Sequence, residues 1–511
     1  MTNRLISFVA AIYTSLAYSM RGLVLAALFL LALPACGAEA ALASSSSNDL
    51  NSRLSLYEKE GGATCSHFMA DVVPWERRAG DWRDARGNLH GNSAFDTATV
   101  GAAGASWNVT ELVKAWAKAG NSKGMFFLRA TGGSGYASFS SRESGRPGDW
   151  PMLVIEYRDG RKEMIKPSAD VNIDCSTYRT LGKQEVLQIS NQVNALLEFP
   201  LPSALSGQAP SRALLVLSNA KGVASPIQIG VFELAVPTFP VPPARAGLAG
   251  NFTADRGVEK HPDVLFATGF DEGSAWKTRW NVAKGEIDTV ERDEKFGFKA
   301  MFASALKVNL RKGSNLGSDL RLDTRKFGQE PDNLYFRYYV RLASDWNPTL
   351  DGGKMPGMAG TYNTAGWGGR RSNGNDGWSA RGGFLRIFND DHPMRGLTQL
   401  LTYVYHVDMK DSYGDVWIWP GALLERNRWY CIEQQISLNR PDAADGVLRV
   451  WIDGRMTLER KNLRFRTVDR LHIEDVWLNV YHGGVDPSPH DQHLYIDNVV
   501  VARQYIGPMA Q

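Results

Sequence analysis

Beyond the first hundred residues the apolar positions come mostly in short runs, not in helical periods. MFFLRA (125–130), MLVIEY (152–157), ALLEFPL (195–201), RALLVL (212–217) and IQIGVFELAV (227–236) each stop at clusters of Gly, Pro, Ser or Asn. Runs of this length between turn formers predict the strands of a β-sandwich. One stretch breaks the pattern. In VTELVKAWAKA (109–119), Leu112, Val113 and Trp116 share a helical face, and Thr110 is placed to cap a short helix. After residue 260 the strand pattern resumes with NLYFRYYVRL, GFLRIF, LLTYVYHV, WYCIEQQISL, GVLRVWIDG, VWLNVYHGG and HLYIDNVVVA. Apolar residues fall on every second position in RVWID and LYIDNVV, and no long amphipathic helix interrupts. The prediction is an all-β chain, a C-terminal jelly-roll β-sandwich preceded by one sandwich or two half-sandwiches.

The clearest boundary is AVPTFPVPPA (235–244), where four prolines remove backbone donors and favour an extended chain. The expected order is a leader and signal peptide (1–36), a flexible tether (37–62), a first sandwich region (63–234), a proline-rich linker (235–259) and the jelly roll (260–508). At 511 residues the chain has length for two or three such cores. With 57 Lys plus Arg against 54 Asp plus Glu, the net charge is +3, which argues against a nucleic-acid partner. Four Cys exclude a disulfide-stapled miniprotein or a Cys-rich zinc module. Fifty Gly, 15 Trp and 17 Tyr suit turn-rich β-structure with aromatic surfaces, a makeup common in carbohydrate-handling proteins.

MRGLVLAALFLLALPAC (20–36) has an Arg, an apolar run too short to span a membrane comfortably, and small residues before Cys36. Leu33-Pro34-Ala35-Cys36 resembles the lipobox of bacterial lipoproteins. The resemblance implies acylation of Cys36 and an outer-membrane lipoprotein, with periplasmic or secreted export as the alternative. Membrane contact is expected only through that anchor. Export would put Cys65 and Cys175, which flank the first folded region, where a disulfide can form. Cys431, in an apolar strand pattern, is expected as a buried free thiol.

WNVTELVKAWAKAGNSKGMFFLRA followed by FSSRESGRPGDWPMLVIEY resembles the C-terminal half of DNRLRE-type modules related to carbohydrate-binding module family 96. The Phe139, Ser141, Arg142, Glu143 element carries it. Residues 169–236, with LGKQEVLQI before ALLEFPLPSAL, resemble the N-terminal half. The order is therefore reversed, either by circular permutation or because two incomplete copies lie side by side. The resemblance implies glycan binding, with a structural spacer as the alternative.

Three motifs in the C-terminal region carry candidate chemistry. In GGKMPGM (352–358), Lys354 is steered by a Gly pair and a Pro-Gly. Ser379 and Arg381 lie two apart, as do Tyr403 and Tyr405, so each pair shares a strand face. Together these residues resemble polysaccharide lyase family 14, with Met355 where the family has Leu. The resemblance implies β-elimination on an anionic uronate polymer such as alginate or a glucuronan. Such a reaction removes the C5 proton beside a carboxylate and expels the 4-linked oxygen. Arg381 suits a two-point grip on that carboxylate, with Ser379 adding a hydrogen bond. Lys354 or a Tyr would be the base, and the residues do not choose between them. His406 and His482 are candidate substrate contacts, as are Arg370 and Arg371 on an expected groove-edge loop. No His/Asp/Glu spacing indicates a metal, no cofactor is expected, and a monomer is.

Two rival readings stand beside this one. GEIDTVE resembles the catalytic strand of glycoside hydrolase family 16, with Glu286 and Glu291, and Asp288 between them, as the carboxyls of a retaining hydrolase. Alternatively the whole chain is a non-catalytic surface glycan binder, with Trp367, Trp378, Trp417 and Trp419 exposed for sugar stacking.

Overall fold

The computed structural model describes residues 50–510 apart from 51–52, 71, 101–103, 224–225, 238–242 and 387–389. The signal peptide, Cys36 and the centre of the proline-rich stretch lie outside the described residues. The chain forms two compact units, Leu42–Phe239 with Phe388–Arg395, and Pro240–Ile387 with Gly396–Gln511.

The first unit is a two-sheet sandwich. One sheet runs Ala169–Asp174, Val193–Pro200, Lys123–Gly133, Ile227–Leu234, Trp82–Arg83, with Asp96–Thr99 also on Ile227–Leu234. The other runs Val186–Ile189, Ala137–Ser140, Arg212–Val223, Met152–Glu156, Lys162–Ile165, with Gly104–Asn108 also on Arg212–Val223. Lys123–Gly133 sits between Val193–Pro200 and Ile227–Leu234. The two stretches read as reversed halves thus interleave around a single core that includes Trp107, Phe126, Phe139 and Leu215. They make one sandwich, not two incomplete ones.

The predicted helix, α1, is Thr110–Ala119 and buries Leu112, Val113 and Trp116. Its cap differs from expectation. The Thr110 hydroxyl accepts from Ala213 N, which pins α1 to a strand, while Asn108 Oδ1 accepts from Thr110 N. The expected tether is also folded where it is described. Leu54, Leu56 and Tyr57 are buried, and Glu198 accepts from Ser55 Oγ and Leu56 N. Arg142, the centre of the quoted Phe-x-Ser-Arg-Glu element, is consumed internally by Glu58 and Glu143. Cys65 and Cys175 form a disulfide across 110 residues. A closure of that length stabilises by about 4–5 kcal/mol in the chain-entropy account.

The second unit is a jelly-roll β-sandwich of two antiparallel sheets. Its strands begin with β1 (Val264–Thr268), β2 (Val282–Gly285), β3 (Ile287–Val290), β4 (Ala305–Leu310), β5 (Leu316–Asp323) and β6 (Asn333–Leu342). They continue with β7 (Gly353–Gly360), β8 (Trp378–Arg386), β9 (Thr398–Tyr405), β10 (Asp415–Leu424) and β11 (Trp429–Ser437). The last four are β12 (Gly446–Ile452), β13 (Arg455–Leu463), β14 (Asp475–His482) and β15 (Gln492–Ala502). The back sheet runs β3-β4-β15-β6-β11-β12-β13, with β1 on β15, and the front sheet runs β2-β5-β14-β7-β8-β9-β10. Alternation explains the layers: Leu334, Phe336, Tyr338 and Val340 of β6 and Val476, Leu478 and Val480 of β14 face the shared core. Part of the expected linker packs on the outer side of the back sheet, where Leu248 and Val258 bury against Val500 and Ala502.

Candidate active site

The outer face of the front sheet collects the motif residues, and the Gly-Gly-Lys-Met-Pro-Gly string explains how. On β7, Lys354 pairs with Gly383 and Gly357 pairs with Arg381 of β8. Three steps on β7 therefore match two on β8, which is a bulge. The register slips at the same place against β14. Pro356, without an N–H, is tolerated in a central strand only at such a break. The extra residue turns Met355 into the core and leaves Lys354 on the same face as Arg381. Gly353 is required by closeness, since a Cβ there would stand 2.3 Å from the Tyr481 carbonyl and the Phe384 ring.

Across the sheet, Arg321 of β5, Trp477 of β14, Gly357, Arg381 and Tyr403 of β9 form one lateral row. Trp477 lies between two guanidinium groups, 4.0 Å from that of Arg321 and 4.5 Å from that of Arg381. The Tyr403 ring lies 5.1 Å from Lys354 Nζ and 6.0 Å from Arg381 Cζ. Lys354, Arg381 and Tyr403 thus meet at one place.

Both cations have neutral partners. Lys354 Nζ donates to the Gly483 carbonyl at 2.7 Å, and Arg381 Nη1 donates to Asn479 Oδ1 at 2.9 Å. Among the described residues neither is in an ion pair, and Arg381 Nε is buried without a partner. Burial, then the Arg381 charge, pushes the Lys354 ammonium down to about 8, against a weaker pull from Asp351. Asp351 itself accepts from the Gly484 and Val485 N–H groups. Burial also pushes Arg381 down to about 10, with the Tyr405 and Tyr403 phenols opposing and Arg321 adding to the fall. The Tyr403 phenol is pushed up by burial and by its hydrogen bond to Tyr405, so it holds its proton.

Tyr405 stands edge-on to Tyr403, 5.5 Å between ring centres. Its hydroxyl accepts from Gly369 N at 3.1 Å. Ser379, opposite Tyr405, is fully buried and donates to the Gly366 carbonyl at 2.6 Å. Ser379 and Tyr405 together tether the loop that carries Arg370 and Arg371, and the hydroxyl expected to help grip a carboxylate is already spent on backbone. Arg370 is exposed and stacks on Trp367 at 4.0 Å, while Arg371 donates to the Met409 carbonyl.

The histidines fall elsewhere. His406 lies just past the end of β9 and is bound to Asp415 at 2.8 Å. His482 turns to the inner face of β14. Its Nε2 accepts from Thr349 N, which leaves the proton on Nδ1 for the Asp486 carbonyl. Burial holds it below the ordinary histidine value, so it is a neutral structural group.

The rival carboxylates do not form a site. Glu286 and Glu291 are exposed, and each has its own arginine, Arg311 at 3.8 Å and Arg292 at 3.8 Å. They flank β3 at the edge of the back sheet. The aromatic stacking surface fails similarly. Trp378, Trp417 and Trp419 belong to the core, and only Trp367 is partly exposed. Sequence reasoning missed Trp477, Asn479 and Tyr481. Their signal was present in VWLNVYH, where they alternate with Val476, Leu478 and Val480.

The family model for Polysaccharide lyase 14 matches residues 405–499, a segment that contains Tyr405, Trp477 and Asn479 but neither Lys354 nor Arg381. This bears out the resemblance drawn from the C-terminal motifs. No curated protein matches the chain. Among solved structures, alginate lyase Aly36B is similar at 21% identity and TM-score 0.37, over 48% of this chain and 96% of that one. Alginate lyase vAL-1 from Chlorella virus is similar at 19% identity and TM-score 0.37, over 47% and 100%. The endo-β-1,4-glucuronan lyase of the fungus Trichoderma reesei is similar at 16% identity and TM-score 0.34, over 47% and 96%.

Proposed function

We propose that the second unit is a polysaccharide lyase that cleaves a uronate polymer, of alginate or glucuronan type, by β-elimination. The observation that carries this reading is the pair of half-buried and buried cations, Lys354 and Arg381, which among the described residues donate to a peptide carbonyl and an amide. Burying a charge without a counter-charge is costly. A site that keeps two such charges beside phenols is complementary to an anion with hydroxyl groups, which is what a uronate offers. The Polysaccharide lyase 14 match over 405–499 supports the same reaction class.

The chemistry follows from the electrostatics. Arg381 binds the sugar carboxylate and makes the neighbouring C5–H more acidic. Lys354, neutral in an appreciable fraction near pH 8, keeps a lone pair while an N–H still donates to Gly483, and it takes the C5 proton. The C5–H electrons become the C4–C5 double bond as the C4–O bond breaks. Tyr403 gives its proton to the departing oxygen. In the same reading the first unit is an accessory glycan-binding region, supported by its DNRLRE-like strings. The lipobox-like Leu33–Cys36 supports a lipid anchor on the outer membrane.

The test is to incubate the full chain with polymannuronate, polyguluronate, glucuronan and a neutral glucan, following ultraviolet absorbance and product mass. An unsaturated product from at least one uronate polymer and none from the neutral glucan is expected. Binding without turnover, or products that carry an added water, would sink the lyase.

A further inference from the structure

We propose that Asn479 is a positioning residue that fixes the Arg381 guanidinium and, by being an amide and not an acid, leaves its charge free for the substrate carboxylate. This rests on the lyase reading above. Asn479 cannot turn its amide round. Its Nδ2 donates to the Ser318 carbonyl at 3.0 Å, so Oδ1 faces Arg381 Nη1 at 2.9 Å. Ser318 is itself held, donating from Oγ to the Leu478 carbonyl and accepting from Val480 N. Both Ser318 and Asn479 are buried. Two residues earlier on the same face, the Trp477 ring lies 4.5 Å from the guanidinium, and its Nε1 donates to Asp319 Oδ1 at 2.6 Å. The same Asp319 oxygen accepts from Arg321 Nε at 3.4 Å, so that carboxylate is engaged by Trp477 and Arg321.

Asn and Asp have nearly the same shape, so Asn479→Asp adds a counter-charge at Arg381 with little change in volume while giving up the Nδ2 donor to the Ser318 carbonyl; Asn479→Ala gives up the same donor without adding a charge. The same unit makes internal ion pairs elsewhere: Asp255 meets Arg337 at 2.7 Å and Asp332 meets Arg466 at 2.7 Å. At position 479 an acid would close the Arg381 fork and cancel the field that Arg381 exerts on Lys354. The other charged groups acting on these two are Asp351 on Lys354, and Asp319 and Arg321 on Arg381, with the Tyr403 and Tyr405 phenols also facing Arg381. None of them changes in the substitution.

The experiment compares the full chain with Asn479→Asp and Asn479→Ala by steady-state kinetics across pH, with thermal unfolding as the control for folding. Asn479→Asp is expected to lower kcat/KM by about a hundredfold. It should also move the acidic limb of the pH profile upward, because Lys354 regains an easier protonation, while the thermal control reads the loss of the donor to Ser318, which Asn479→Ala shares. Asn479→Ala is expected to lose about tenfold with the acidic limb in place. Equal losses in both variants with an unmoved limb, or wild-type kinetics in Asn479→Asp, would overturn the proposal. Acetylation of Lys354 against pH, read by peptide mass, needs no turnover. A lower Lys354 reactivity in Asn479→Asp supports the assignment even if no uronate polymer is cleaved, and an unchanged reactivity overturns it.

Discussion

The outer faces of the two sheets of the second unit treat a buried arginine in opposite ways. On the back sheet, Arg337 is fully buried beneath the 248–258 segment and meets Asp255. Burial opposes its charge, yet the Asp255 carboxylate wins and holds the guanidinium above its ordinary value. On the front sheet, Arg381 is nearly as buried, has an amide as its hydrogen-bond acceptor among the described residues, and is pushed down to about 10. A charge that serves the fold is neutralised inside the fold. Arg381 has no such partner among the described residues, so its desolvation is a cost the fold carries, as expected of a charge kept for an outside anion in the proposed function.

The most severe way to break this comparison is to remove each arginine in turn. Arg381→Ala is expected to reduce kcat/KM about a thousandfold, with Tm unchanged or raised. Arg337→Ala should leave Asp255 buried and unpaired, and cost about 3–5 kcal/mol in denaturant unfolding. If both variants lose stability alike and neither loses turnover selectively, the two faces do not differ as argued. Tyr403→Phe, which keeps the ring beside the two cations and deletes the proton donor of the proposed mechanism, is expected to lower kcat about a hundredfold with little change in unfolding.

A gentler probe is pH. In the proposed mechanism Lys354 acts as a neutral amine, so turnover should climb as pH rises through about 8 and decline as it passes about 10, where Arg381 loses its charge. The stability sign follows from the same group. Its folded value lies below the ordinary lysine value, so between the two the unfolded chain binds more protons and stability rises with pH. Lys354→Met should flatten that rise, measured by unfolding midpoints at fixed ionic strength. The smallest effect belongs to the edge of the back sheet: Glu286→Gln is expected to change kcat/KM by less than about twofold, since the residue is exposed and paired with Arg311. A large loss there would revive hydrolysis.

Most strands were legible because their periodicity is local. NLYFRYYVRL is β6 end to end, and LLTYVYHV and WYCIEQQISL overlap β9 and β11. The motif pairs were legible too, since i and i+2 on a strand must share a face. The errors have two causes. His482 is in phase with Val476, Leu478 and Val480, and Trp378 with Ala380, so alternation within each strand already turns them inward. Ser379 faces the outer side but lies under a loop, and burial of that kind is set by what comes over a residue from elsewhere in the chain.

Sequence alone determined an all-β chain with two sandwich regions and which motif pairs share a strand face, because strand propensity, turn chemistry and side-chain alternation act over a few neighbours. Tertiary structure decided that 104–165 and 169–234 share one core, that a bulge at Met355–Pro356 sets Lys354 beside Arg381, and that Asn479 rather than an acid meets the guanidinium. Those outcomes depend on which strands become neighbours. The partner of a charge a hundred residues away is fixed by register across the sheet.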